Sequence, residues 1–425
     1  MKKGIVFVFA VLFVLGGVVS AFAQTAVTIA DTTHKGSILI YPKIDVSYGK
    51  DTFVWLSNDG PSPVNVDCYW VTGSDWVGGP SDPANAQIPF SFLISLSAFQ
   101  EFNFSSAYGG ETLVTTASPF PGPQYETYKG YLACVAVISE NVTVPQPANY
   151  NYLYGKAWVV DYTNNVAYSY PAWSFRALNA VTGTAPVAIP SIASGSPGIL
   201  PGNPNGTPTP GLKLPLDGAT YSACPGQLVF DFPLEGYLPQ WFPYSGTNDV
   251  TLMPCIQDLR QDRVLTHTKF QFEVYNTFET GFDGAFGCSN CWFDHFLNDY
   301  NQAAVLTYFG PNGAFSAVNA LGTFPFTDST ETSFAGGRFR VNSVVSSDCN
   351  FPATNPAVST GLIGVLTSYV PAWWGGSLTA GSKSAPVFAF TSNGAAGSYY
   401  APAGYLEIDQ SPASTSNPGA KKGKK

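Results

Sequence analysis

The stretch from Thr182 to Pro215, TGTAPVAIPSIASGSPGILPGNPNGTPTPGLKLP, constrains this chain most. Its one charge is Lys213, and it holds no aromatic residue. Proline removes backbone donors and glycine resists ordering, so residues 182–212 have little with which to build a ladder or a core. They read as a partly extended linker. Each flank is long enough to bury a core of its own, at roughly 150–200 residues. The expected division is a first module over residues 24–181 and a second over residues 213–410, with a disordered, Lys-ended tail at 411–425.

Both flanks read as strands. Aromatic residues make up 15% of the chain and charged residues only 11%, which is poor helix material and good strand material. In Thr268–Tyr275, Phe270, Phe272 and Val274 alternate with Lys269, Gln271 and Glu273, the pattern of a strand with one wet face. Turn signals such as Asn58-Asp59-Gly60-Pro61 and Pro121-Gly122-Pro123 recur between short runs. Only Trp292–Tyr300 has helical spacing, through Trp292, Phe296 and Tyr300. Strands of this length and frequency predict an all-β chain of two antiparallel β-sandwich modules.

Cys68 and Cys134 both sit mid-strand, 66 residues apart, with Trp70 in phase with Cys68. This spacing resembles the inter-sheet disulfide of immunoglobulin-like domains, and it implies a bridged pair inside an immunoglobulin-like sandwich. The second module holds Cys224, Cys255, Cys288, Cys291 and Cys349, an odd number that cannot all pair internally. Expected bridges are Cys224–Cys255 and Cys349 with either Cys288 or Cys291. The rival use of Cys288-Ser289-Asn290-Cys291 is zinc, held with His295 and either Cys255 or His267. Haem attachment fails because Trp292 stands where histidine is required. No cofactor is expected.

Met1–Ala23 reads as a secretory signal peptide: Lys2 and Lys3, an apolar run, then Ala21-Phe22-Ala23 before Gln24. No Cys follows, which argues against a lipoprotein, and no later run is long and apolar enough to span a membrane. Without the leader and tail lysines the body has 13 basic residues against 28 acidic ones, which does not suit nucleic acid.

Catalytic signals are thin. Three histidines, His34, His267 and His295, lie far apart in sequence, and no G-x-S-x-G elbow occurs. Glu273, Glu279, Asp283 and Asp294 lie among Phe278, Phe282, Trp292 and Phe293, a mixture that suits sugar chemistry. Trp373 and Trp374 stand next to Gly375-Gly376 and, with Trp292, are candidates for stacking on a ligand. The expectation is an exported bacterial, non-enzymatic structural or binding protein of the cell surface or extracellular space, whose partner is a protein or a polysaccharide. The alternative is an extracellular carbohydrate-active enzyme or sugar-binding protein using the second module.

Overall fold

The structure is a computed structural model describing residues 28–47, 49–73, 90–107, 129–138, 146–163, 165–179, 183–189, 211–235, 247–258, 267–276, 281–289, 291–296, 335–346, 359–371, 387–396, 400–401 and 404–409. Of these, 71% are strand and none is helix. The first half supplies β1 (Ile38–Asp45), β2 (Lys50–Asn58), β3 (Val64–Thr72), β4 (Phe90–Leu96), β5 (Glu101–Ser105), β6 (Lys129–Val137), β7 (Ala148–Asn149), β8 (Leu153–Asp161), β9 (Val166–Pro171), β10 (Trp173–Phe175) and β11 (Val187–Ala188). The second half supplies β12 (Gly211–Pro215), β13 (Cys224–Pro225), β14 (Gln227–Glu235), β15 (Thr247–Pro254), β16 (Ile256–Asp258), β17 (His267–Asn276) and β18 (Gly281–Ser289). It continues with β19 (Phe293–Phe296), β20 (Ala335–Ser346), β21 (Leu362–Pro371), β22 (Val387–Ser392), β23 (Ala395–Ala396), β24 (Tyr400–Ala401) and β25 (Tyr405–Asp409).

Among the described residues, five sheets have three or more strands. Their orders are β10-β1-β6-β3-β4, β5-β2-β8-β9, β12-β25-β16, β18-β17-β20-β14-β23 and β19-β15-β21-β22. These small sheets form a ring, a five-bladed β-propeller. The expectation of two immunoglobulin-like sandwich modules is therefore corrected.

Two observations show why that reading failed. The first is burial. β1 and all of β6 after Lys129 are buried at every position, so their sheet is covered on both faces. One face, with Leu39, Tyr41, Trp70 and Leu132, packs into a core shared with β2, β8 and β9. The other, with Ile38, Ile40, Tyr131 and Ala133, packs against Leu214, Leu228, Val250 and Phe270 of the second half. An independent sandwich would leave the outer face of this sheet wet, whereas here residues of the second half cover it. The second is the disulfide. Cys68 on β3 stands directly opposite Cys134 on β6, so the bridge lies within one sheet instead of joining two.

The helix expected over Trp292–Tyr300 is also corrected where the chain is described: residues 297–300 lie outside the description, and Phe293–Phe296 is strand β19, paired antiparallel with β15. There Asp294 lies opposite Thr251 and His295 opposite Val250. Ladder pairing and burial of Phe293 outweigh the helical spacing of three aromatics. Within the proline-rich stretch, Val187–Ala188 pair with Ala148–Asn149, and Gly211–Pro215 pair with Tyr405–Asp409. Residues 190–210, the stretch Met1–Ala23 read as a signal peptide and the tail at 411–425 lie outside the described residues.

Candidate functional site: a buried charge network

A cluster of charged side chains is enclosed between the two halves. It starts at an irregularity in β1. Tyr41 pairs with Leu132 and Ile44 with Gly130, so Pro42 and Lys43 together oppose Tyr131. Proline cannot donate to a ladder and is at home in such a bulge. The extra residue shifts the alternation, so that Tyr41 and Ile44 both serve the same core although three positions apart. Lys43 is thereby re-aimed toward the second half. Its ammonium bonds Asp294 at 2.8 Å and also bonds Asp249. Pro42 offers its carbonyl to the Trp292 indole Nε1–H at 2.7 Å.

The network runs outward from there. Lys129, at the start of β6, reaches the other oxygen of Asp294 at 3.1 Å and Asp45 at 3.8 Å. Lys50 meets Asp45 at 3.1 Å and Asp161 at 4.0 Å. Neutral groups complete it. The Thr251 hydroxyl donates to Asp294, Ser47 Oγ donates to Asp45 at 2.5 Å, and the Tyr170 hydroxyl donates to the Lys43 carbonyl. Tyr168 and Tyr369 meet edge to face beside it, centroids 6.0 Å apart. Charges alternate from the half-exposed lysines inward to Lys43, whose side chain is 1% exposed.

Burial works against every charge here, and the neighbours decide the outcome. For Lys43, Asp249 and Asp294 more than reverse that penalty and hold it well above the ordinary lysine range. For Asp294, Lys43 and Lys129 reverse it and hold the carboxyl well below the usual range. For Asp249 they do not: burial and the charge of Asp294 push it up to about 6. Lys129 is raised, chiefly by Asp294. Two carboxyls with separated proton affinities are what acid–base chemistry uses. These two face a lysine inside the protein, with side chains only 2% and 7% exposed. The arrangement acts as a clasp joining β1 and β6 to β15 and β19.

The structure places the other residues singled out from sequence as follows. Cys68–Cys134 and Cys224–Cys255 are disulfides. Gly361, at φ +66°, accepts the Cys255 N–H on its carbonyl, and its bare Cα lets Cys224 approach. Cys291 is buried. Cys288 lies on β18 opposite Lys269, and its side chain is outside the description, as is that of His267. Cys349, Trp373 and Trp374 lie outside the described residues. His295 is half-buried beside Phe293, ring centroids 4.7 Å apart. Among the described residues no three His, Cys, Asp or Glu side chains are placed to hold a metal.

Trp292 is corrected from a ligand platform to a core residue: it is 2% exposed, and its ring lies where a Cβ on Gly73 would sit. Glu273 is paired with Arg340. Of the acidic candidates whose side chains are described, Asp294 joins the network and Glu273 does not, while Glu279 and the side chain of Asp283 lie outside the description. Lys43, Asp249, Lys129 and Asp45 of the network were missed, although a lysine inside the apolar run Ile38-Leu39-Ile40-Tyr41-Pro42-Lys43-Ile44 was a legible signal. No family model, curated protein or solved structure matches this chain.

Proposed function

We propose that this chain is an exported, non-enzymatic structural or binding component working at or outside the cell surface. The pair of buried disulfides, Cys68–Cys134 and Cys224–Cys255, is the observation that carries the reading. Such bonds persist in oxidising compartments and are reduced in the cytosol. The buried clasp supports it further, because its carboxyls serve lysines of the same chain and hold a scaffold together. The second-half route to sugar chemistry has less support, since Asp294 and Trp292 are both enclosed. No described helix is long and apolar enough to cross a membrane.

The test is expression with the native N-terminus, followed by cell fractionation and alkylation of unfolded protein without reductant. The expected result is a product starting at Gln24, outside the cytoplasm, with Cys68, Cys134, Cys224 and Cys255 unlabelled. A cytoplasmic product with those four thiols labelled would overturn the reading.

A further inference from the structure

The outer face of the β5-β2-β8-β9 sheet is unusual for a solvent-facing surface. The alternation of β8 buries Leu153, Gly155, Ala157 and Val159 and turns Tyr154, Lys156 and Trp158 outward. On β2, Phe53 and Trp55 turn the same way. Register brings these side chains together: Phe53 stands opposite Trp158, and Trp55 opposite Lys156. Phe53, Trp158 and Tyr154 are 39%, 41% and 38% exposed, in contrast to the enclosed Trp70, Trp173 and Trp292. Neighbouring strands stand about 4.8 Å apart and alternate residues about 7 Å apart, so the rings tile one continuous patch. Lys156 stands at its centre, with its ammonium 4.6 Å from the Trp55 ring and 5.3 Å from the Trp158 ring.

We infer that this patch is a binding platform for an anionic polysaccharide, a pyranose chain bearing uronate carboxylates. Aromatic rings fixed on a sheet present apolar faces to the C–H faces of pyranose rings without ordering a loop. The central ammonium complements a carboxylate and fixes its position on the patch. The acidic side chains of this face stand at its margin, with Glu101 on β5 and Asp51 already bonded by Ser105 Oγ at 2.6 Å. A second copy fits less well. A two-fold pairing of this face brings Lys156 toward its own copy, like charge against like, whereas a uronate brings the opposite charge to it. The inference deepens the proposed function, on which it rests, by naming the class of partner.

Affinity electrophoresis and indole fluorescence titration of the full chain, against polygalacturonate and the neutral glucan dextran, test it. Wild type should be retarded by polygalacturonate and not by dextran, with a fluorescence change on binding. Trp158→Ala should weaken binding at least about tenfold. Lys156→Gln, which keeps both indoles, should weaken it several-fold and flatten its salt dependence. Retardation equal in dextran and unaffected by Lys156→Gln would overturn the uronate assignment. Wild type with neither retardation nor a fluorescence change would overturn the site. Self-association that Trp158→Ala abolishes would assign the face to a second copy. Fractionation is read separately: an exported protein that ignores polygalacturonate sinks the site and leaves the proposed function standing.

Discussion

Lys43 and Asp294 stand 251 positions apart in the chain, yet ammonium and carboxylate meet at 2.8 Å with both side chains almost wholly enclosed. A contact of such span brings no local benefit to the chain. It forms only when blades from the two halves are already side by side, so it reports their relative placement. Taking two charges out of water costs more than an ordinary hydrogen bond returns. The clasp is therefore better understood as setting register between blades than as a large net source of stability.

Removing one partner tests this. Lys43→Met leaves Asp249 and Asp294 facing each other without the ammonium between them, and should cost about 3–5 kcal/mol by urea unfolding. The triple variant Lys43→Met, Asp249→Leu, Asp294→Leu removes all three charges and should recover most of that loss. If the triple variant is as unstable as the single one, packing at Lys43 matters and its charge does not.

Acidity should act on the network in two directions. A carboxyl whose proton affinity rises on folding stabilises the fold at low pH and loses that contribution as pH climbs through its folded value. For Asp249 the window runs from about 4, the unfolded value, to about 6. Asp294 is depressed, so its contribution is present above about 4 and disappears only in stronger acid. Asp249→Asn should therefore gain on wild type by about 2 kcal/mol as pH rises from 4 to 7. Parallel stability curves across that range would contradict it. Asp67, pushed up to about 6 by burial, acts with the same sign, so Asp67→Asn belongs in the same series.

The Cys68–Cys134 bridge closes a segment of 66 residues. In the chain-entropy account, its loss should cost about 4 kcal/mol. Replacing both cysteines by alanine measures this, and the intra-sheet position sets a second expectation. Because β3 and β6 remain paired through their ladder, the double variant should keep its far-ultraviolet strand signal at low temperature. A double variant with no strand signal would show that the bridge is required for the sheet to form.

Trp292 lies against Gly73 and donates to the Pro42 carbonyl across the same junction as the clasp. Trp292→Phe deletes the donor and part of the ring, and should cost about 2–3 kcal/mol. Gly73→Ala should destabilise independently, because its methyl would enter the indole. Calorimetric unfolding of the two variants checks both. A Gly73→Ala variant as stable as wild type would mean that the ring moves aside freely.

Strand content was legible from the chain alone, because alternation such as Phe270, Phe272 and Val274 against Lys269, Gln271 and Glu273 is a local consequence of a pleated backbone with one buried face. So was Cys68 with Cys134, two cysteines in apolar mid-strand positions. What a strand pairs with, and what covers its second face, is not local. Ile38-Leu39-Ile40-Tyr41 reads the same whether its sheet is the wall of a lone sandwich or a blade between two others. The five-bladed ring depends on contacts hundreds of residues apart, and no short window of sequence encodes them. The same holds for the clasp. Lys43 is visible as an odd charge in an apolar run, but Asp249 and Asp294 became its partners only because a bulge turned β1 and blade packing excluded water. The residues determined strands, cores and bridging cysteines; burial between blades, which sets the cost of an unpaired charge, decided which charges had to meet.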